Sequence, residues 1–143
     1  MSPKELAQRW FHEVWNLKNA QAIFHLMEPT GVGHTKGGLV TGQEQFVQQM
    51  IQPMHAAFPD LSVTIEGCMA SGDDAVVRWK ASGTNKGTLF GVPATGRKVS
   101  FSGMTWMRFT NGKLAEGWDC RNAHGLAALL ASGAESASVR WAE

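Results

Sequence analysis

The sequence predicts an α+β fold, in which three N-terminal helices pack into a curved, mostly antiparallel sheet. Apolar residues recur at helical spacing through the first part of the chain, and alternation of period two replaces this spacing from Leu61 onwards. The strongest local signal is Asn111-Gly112 between two β-rich runs, because this dipeptide readily supplies the two positive φ angles of a tight turn. Helices grouped before an antiparallel meander indicate α+β rather than α/β architecture.

Length and composition predict one globular domain. The 143 residues are enough for a real core, and we expect a single domain over residues 1–143 with a frayed tail at 134–143. A net charge of +1 without any basic run gives no reason to expect nucleic acid binding. No stretch approaches the roughly 20 apolar residues of a membrane span, so no membrane partner is expected. Two cysteines without metal-ligand spacing, and an N-terminus without a signal-peptide segment, predict a cytoplasmic protein with reduced thiols.

The three predicted helices begin at recognisable signals. Residues 2–5 (SPKE) form a capping box with proline at the first helical position, and an amphipathic stripe follows at Leu6, Trp10, Val14 and Leu17. A second, short helix is expected over residues 19–27, stopped by Pro29. A Gly-rich connection over 29–40 holds His34 and leads to a second capping box at 41–44. The third helix then runs to residue 58, kinked by Pro53, with Met50 on its apolar side.

Four strands and a last helix are predicted after residue 60. Alternation predicts strands at 61–66 and 75–82, joined by a turn at 71–74. Residues 83–96 are rich in Gly, Thr and Pro and are expected to form a long loop. The hairpin over 99–122 follows, and then a short helix over 123–130.

Counting outward from the Asn111-Gly112 turn predicts the register of the hairpin. A regular two-residue turn pairs Thr105 with Trp118 and Met104 with Asp119, so Asp119 should share a face with Met104 and Trp106. The opposite face then carries Phe101, Thr105, Met107 and Trp118. Both faces are largely apolar, while one helical layer covers only one face. We therefore expect a homodimer formed through the sheet.

The sharpest candidate for chemistry is Asp119, an aspartate in mid-strand among aromatic residues. Burial in an aromatic-lined cavity would raise its pKa toward the range useful for a general base. The alternative is an exposed carboxylate paired with Arg108 or Arg121. No phosphate loop, dinucleotide fingerprint or metal-ligand spacing occurs in the sequence, so neither metal nor cofactor is expected.

Several other residues are weaker candidates. His34 is of interest because loop residues often serve function, although a plain surface histidine fits equally well. Arg78 projects from the strand face opposite Val77 and Trp79, where it could pair with a carboxylate or with a substrate oxygen. Glu116 is interpreted as a structural carboxylate. Periodicity leaves open which hairpin face lines a pocket. For a pocket at Asp119, the predicted walls are Trp106, Trp118, Met104, Phe58 and Met50, with His34 or Arg78 steadying an oxyanion.

Several sequence runs resemble the SnoaL-like polyketide cyclases, also called the ester cyclase family. They are HAAFPDLSVTIEG at 55–67, FGVPATGR at 90–97, FSG at 101–103 and NGKLAEGWD at 111–119. The resemblance extends from about residue 34 to 130 and implies a conical barrel of the NTF2-like kind. It also implies an intramolecular aldol condensation of a hydrophobic small molecule without metal or cofactor. Asp119 matches the family's catalytic aspartate, and His34 matches a histidine at the pocket mouth.

The sequence departs from that family at two positions. Members often carry a histidine in the loop where this chain has residues 83–87, and a family cyclase uses a histidine of the penultimate strand, near Thr105-Trp106. This chain has a histidine at neither place. Two functional hypotheses therefore stand: a cofactor-independent cyclase with Asp119 as general acid/base, or a non-catalytic protein that binds a hydrophobic small molecule.

Overall fold

The computed structural model describes residues 1–35, 37–89, 91–121 and 136–139. Within them lie seven strands: β1 Met27–Thr35, β2 Gly38–Thr41, β3 Ser62–Ser71, β4 Asp74–Thr84, β5 Lys98–Thr110, β6 Lys113–Arg121 and β7 Ser136–Val139. They form one sheet in the order β2-β1-β6-β5-β4-β3, and β7 pairs with β5. Neighbouring strands are antiparallel except for the pairs β1–β6 and β5–β7, which are parallel.

The helices precede the long strands, as the sequence predicted. Helix α1 (Pro3–Trp10) continues into a π-helical turn, Phe11–Asn16. A 3₁₀ turn, Ala20–Ala22, leads into α2 (Ile23–Leu26). Helix α3 (Gln43–Phe46) passes through a second π-helical turn, Val47–Ile51, into α4 (Gln52–Ala57). No helix in the described part of the chain is long and apolar enough to cross a membrane.

The first helix shows how the sequence directs the fold. The backbone N–H of Glu5 donates to Ser2 Oγ at 3.2 Å, which confirms Ser2 as the N-cap of the predicted capping box. The Glu5 carboxylate accepts from the Ser2 hydroxyl. Leu6, Trp10 and Val14 are buried and join the main core against the sheet. The prediction for Leu17 was wrong, because the helix ends at Asn16 and the Leu17 side chain is 60% exposed.

The Gly-rich connection predicted over 29–40 is instead a pair of strands, β1 and β2. Val32 to Thr35 pair antiparallel with Gly38 to Thr41, and Val32 to His34 pair parallel with β6. His34 therefore lies in a strand and not in a loop. Glycines at 31 and 33 interrupt the alternation of side chains by which a strand is recognised, and the partner strand β6 lies far away in sequence. The predicted helix over 123–130 lies outside the described residues.

The predicted hairpin is present, but its register differs from the one counted outward from the turn. Asn111 and Gly112 have φ values of 53° and 74°, as the tight turn requires. Phe109 pairs with Leu114, yet the next pair is Arg108 with Glu116, so one extra residue of β6 forms a bulge at Ala115. Beyond the bulge every pairing is shifted by one residue, and each later β6 side chain points to the face opposite to the predicted one.

Candidate functional site

A cavity lies between the helices and the inner face of the sheet. Its described lining is predominantly apolar, as is usual for small-molecule sites. Its described walls come from all helical segments except α2 and the 3₁₀ turn before it, and from five of the strands. The lining residues are Trp10, Phe11, Trp15, Met27, Val32, Gly33, His34, Thr35, Phe46, Met50, Met54, Leu61, Val63, Trp79, Ala81, Phe101, Thr105, Met107, Leu114, Gly117 and Asp119.

Asp119 brings the one carboxylate found among the described lining residues, and no described lysine or arginine lines the cavity. The bulge places Asp119 directly opposite Thr105 on β5, whereas the sequence predicted Met104 at that position. The Thr105 hydroxyl donates to Asp119 Oδ1 at 3.0 Å. Trp79 on β4 donates its indole N–H to the same hydroxyl at 2.9 Å. One acidic group is thus presented to an otherwise largely apolar space.

The two π-helical turns supply much of the wall that faces the sheet. Phe11 and Trp15 come from the turn after α1, and Met50 comes from the turn between α3 and α4. A π-helical turn widens the helix and changes the direction of its side chains relative to a regular α-helix. Trp10 and Phe46 pack edge to face beside this wall, with ring centroids 5.4 Å apart.

His34 belongs to the cavity wall, but its imidazole is engaged on the other side of the strand. Its Nε2 lies 2.7 Å from Glu116 Oε2. An ionised carboxylate can only accept, so Nε2 carries the hydrogen of this bond. The ring also stacks on Trp118 at a centroid distance of 5.2 Å and an interplanar angle of 2°. Glu116 and Trp118 alternate with Gly117 and Asp119, so they lie on the outer face of β6.

Three of the predicted wall residues, Met104, Trp106 and Trp118, lie on the outer face of the sheet. None of them is among the described residues that line the cavity. The register without the bulge placed Met104 and Trp106 on the face of Asp119, whereas it placed Trp118 on the opposite face. Trp106 is 48% exposed and donates its indole N–H to Asp74 Oδ2 at 2.8 Å. Placing these three residues at the pocket was therefore wrong, because one extra residue in β6 reverses the faces.

The outer face instead carries a continuous polar and aromatic cluster. Arg108 binds both carboxylate oxygens of Asp74, at 3.0 and 3.1 Å, and its guanidinium lies 5.3 Å from the ring centroid of Trp118. Hydrogen bonds from Arg108 and Trp106 lower the pKa of the Asp74 carboxyl. Arg108 also lies 3.8 Å from Glu116. We call the set Asp74, Trp106, Arg108, Glu116, Trp118 and His34 the outer cluster.

The other predicted residues divide between the cavity, the core and the surface. Met50 lines the cavity. Phe58 is fully buried in the core, 5.7 Å from the ring of Phe101, and is not among the described lining residues. Arg78 is exposed and lies on the outer face opposite Met104, away from the cavity.

Sequence reasoning missed Thr105 and Trp79 as parts of the site. It placed Thr105 on the face opposite Asp119, and it recognised Trp79 only as the buried half of an alternating strand. The one available signal was the departure from the cyclase pattern near Thr105, where a histidine was expected. Among the residues that the structure describes, no three His, Cys, Asp or Glu side chains group closely enough to hold a metal ion.

Comparison with known proteins gives consistent results. The family model described as SnoaL-like polyketide cyclase matches residues 5–130. Among curated proteins there is no significant match. AclR from Streptomyces galilaeus, a candidate hydroxylase, is 27% identical with a TM-score of 0.79, and the alignment covers 91% of this chain and 81% of AclR. A candidate polyketide cyclase from Acidithiobacillus ferrooxidans is also 27% identical, with a TM-score of 0.78 and coverage of 91% and 94%.

A further solved structure supports the fold. A candidate SnoaL-like polyketide cyclase from Jannaschia sp. has a TM-score of 0.83 at 23% identity, with coverage of 92% of this chain and 96% of that one. At this identity the likeness concerns the fold alone. The described helices and sheet therefore have the α+β, NTF2-like architecture that the sequence predicted.

Proposed function

Because the chain belongs to the SnoaL-like polyketide cyclase family, we propose that it is a cofactor-independent, cyclase-like enzyme acting on a hydrophobic small molecule. Asp119 is its general acid/base. The observation that carries the proposal is the position of this carboxylate, which is the one described acidic side chain lining a cavity of mainly aromatic and aliphatic walls. Apolar walls suit a flat, hydrophobic substrate, and a single carboxylate suits proton transfer.

The proposed reaction is an intramolecular aldol-type ring closure. The Asp119 carboxylate takes a proton from a carbon that lies next to an electron-withdrawing carbonyl, which leaves an enolate and a neutral carboxyl. The enolate carbon attacks a second carbonyl of the same molecule, so that a carbon–carbon bond forms and the attacked oxygen becomes an alkoxide. The proton on Asp119 then returns to this alkoxide. The cycle ends with the carboxylate restored and with a product that has the atoms of the substrate.

The walls of the cavity support this chemistry in two ways. Aromatic side chains such as Trp10, Trp15 and Phe101 offer large flat surfaces that hold a conjugated substrate against the base. They also exclude water, which would otherwise protonate the enolate before ring closure. His34 remains a proposed polar group near the mouth, with its imidazole held by Glu116.

Asp119→Asn tests the assignment of the base. The probe is a tricyclic anthraquinone with a β-keto ester side chain and no carbonyl placed where the enolate carbon could close a ring, so that only the proton transfer occurs. In heavy water, we expect the wild type to catalyse exchange of the acidic C–H for deuterium, detected by mass spectrometry, and the variant to lose at least about 100-fold of this rate. Probe binding and melting temperature should change little.

The matched control is Glu66→Gln, which changes an exposed carboxylate on β3 that does not line the cavity. This variant should exchange the probe at the wild-type rate. If Asp119→Asn retained full exchange activity while binding the probe normally, Asp119 would not be the base.

A non-catalytic role is the second candidate, in which the protein binds a hydrophobic small molecule without changing it. Two observations favour it: the walls offer few polar groups, and Thr105 stands near the position where a family cyclase uses a histidine. Quenching of tryptophan fluorescence by flat aromatic or steroid-like ligands would measure binding. Tight binding without any deuterium exchange or product would favour this role over the cyclase.

We further propose that two copies associate through the outer face of the sheet, in the cytoplasm. The outer cluster presents Trp106 at 48% exposure beside Arg108, which is paired with Asp74. Tryptophan and arginine are both enriched at protein interfaces. The thiols of Cys68 and Cys120 are free, which fits a reducing compartment.

A further inference from the structure

We infer that Trp79 and Thr105 form a hydrogen-bonded relay that orients the Asp119 carboxylate and holds it in its basic, ionised form. The relay consists of two bonds in series, 2.9 Å from Trp79 Nε1 to Thr105 Oγ1 and 3.0 Å from Thr105 Oγ1 to Asp119 Oδ1. All three residues line the cavity. The catalytic consequence rests on the proposed function, whereas the relay itself can be tested without any substrate.

The chemistry of the three groups fixes the direction of the hydrogens. An indole N–H can only donate, so the Thr105 oxygen must accept from Trp79. The single hydroxyl hydrogen of Thr105 is then directed at Asp119 Oδ1. Without the indole, this hydroxyl could rotate and serve equally as an acceptor from a protonated carboxyl. With the indole in place, donation to an ionised carboxylate is the favoured arrangement.

The strands build this relay by a diagonal contact. On β5, Thr105 pairs with Asp119 of β6 on one side and with Val77 of β4 on the other. Trp79 lies two residues after Val77 on β4, so it reaches Thr105 diagonally. The indole reaches Thr105 because it lies over Gly103, its own cross-strand partner. A Cβ at Gly103 would stand only 2.6 Å from Trp79 Cζ2. Phe101 supports the indole from the side in an edge-to-face contact at 6.1 Å.

The relay counteracts the effect of the apolar cavity walls on the ionisation of the Asp119 carboxyl. Apolar walls favour the neutral carboxyl over the carboxylate, and a neutral carboxyl cannot take a proton from carbon. A donated hydrogen bond stabilises the charged form and also fixes the rotation of the carboxylate. Thr105 and Trp79 are therefore positioning residues, and neither of them exchanges a proton with the substrate.

The test follows the titration of Asp119 by NMR in the substrate-free protein labelled with ¹³C at aspartate carboxyl carbons. The Asp119 signal is identified by its loss in Asp119→Asn. In Thr105→Val, which has nearly the same shape but no hydroxyl, the titration midpoint should move up by about one pH unit or more. Thr105→Ser keeps the hydroxyl and should restore the wild-type midpoint.

A second signal reports the other end of the relay. The Trp79 indole ¹H–¹⁵N resonance, assigned with Trp79→Phe, should shift with the same midpoint as the Asp119 carboxyl in the wild type. In Thr105→Val it should no longer follow that titration. Trp79→Phe itself should raise the Asp119 midpoint by less than Thr105→Val does.

The outcomes separate the relay from the proposed function. An unchanged midpoint in Thr105→Val, or a Trp79 resonance that is insensitive to the titration of Asp119 in the wild type, would overturn the relay. If Thr105→Val does not fold, the wild-type Trp79 resonance and the Asp119 midpoints in Trp79→Phe and Thr105→Ser still decide whether the relay exists. In the deuterium-exchange assay, Thr105→Val should lower kcat with little change in KM. Absence of exchange in the wild type would remove the catalytic proposal and leave the relay standing.

Discussion

Gly103→Ala should both destabilise the protein and displace the indole of Trp79. Gly103 is buried on β5, where it pairs with β4 on one side and with β6 on the other. A Cβ added there would stand 2.6 Å from Trp79 Cζ2 and 2.8 Å from the backbone oxygen of Cys120. Both distances are about 1 Å shorter than the ~3.5–4.0 Å of a normal contact. Neither the packed indole nor the strand backbone can move away freely.

The size of the effect follows from two opposing contributions. Overpacking of a well-packed site costs about 1–3 kcal/mol, and two simultaneous clashes place Gly103→Ala near the upper end. Replacing glycine by alanine within a strand returns about 0.5–1 kcal/mol. The net loss of unfolding free energy is therefore about 2 kcal/mol. For a chain of 143 residues this corresponds to a decrease in Tm of roughly 7 °C.

Thermal unfolding followed by circular dichroism measures the loss, and the Trp79 indole resonance reports the displacement. Gly117→Ala is the matched control, because Gly117 lies on the adjacent strand β6 and also lines the cavity. A Cβ at Gly117 would meet the Trp106 carbonyl oxygen at 3.6 Å, an ordinary contact, so its Tm should stay the same or rise slightly. A Gly103→Ala protein that melts within about 2 °C of the wild type, with the Trp79 resonance in place, would refute the reasoning.

Three further predictions concern other parts of the molecule. Burial lowers the pKa of His55 from 6.5, so its contribution to stability is complete above that pH and is lost as the pH falls through the lowered pKa. Between about pH 7 and about pH 5, the Tm of His55→Gln should therefore decrease less than the Tm of the wild type. Equal decreases in Tm for the two proteins would contradict this. Asn85 is fully buried and bonds the backbone of the loop that it begins. Asn85→Ala should cost about 3 kcal/mol in denaturant unfolding, and a loss below about 1 kcal/mol would contradict the role of this side chain. Sedimentation should show a wild-type dimer and a monomeric Trp106→Lys variant, whereas a wild-type monomer at micromolar concentration would exclude the sheet dimer.

The sequence was most informative where its signals are local. The N-cap at Ser2, the apolar stripe of the first helix as far as Val14 and the Asn111-Gly112 turn depend on neighbours within a few residues, and each is present in the structure. The mid-strand Asp119 was recognisable because aspartate is disfavoured in a strand interior. It was also recognised through its family resemblance, and it does face the cavity.

The parts that the sequence did not predict depend on pairing between distant segments. No sequence signal marks the bulge at Ala115. The bulge nevertheless decides which of the two alternating sets of β6 side chains faces the cavity. Because of the bulge, Asp119 lies beside Thr105 on the inner face of the sheet, and not beside Met104 and Trp106 as predicted. The strand β1 was missed for a related reason, because its central partner β6 supplies hydrogen bonds that propensity cannot anticipate.

The parallel pairing of β1 with β6 also bears on the order in which the molecule assembles. The hairpins β3–β4 and β5–β6 join neighbours in sequence, whereas the bond from His34 to Glu116 joins residues 82 apart. Closing so long a loop is entropically costly, so such contacts form late in folding. We expect the hairpins to form first and β1 to dock afterwards, which makes completion of the cavity beside Asp119 one of the last events of folding. During synthesis, the N-terminal third of the chain must then wait for β6 to leave the ribosome before this wall of the cavity can exist.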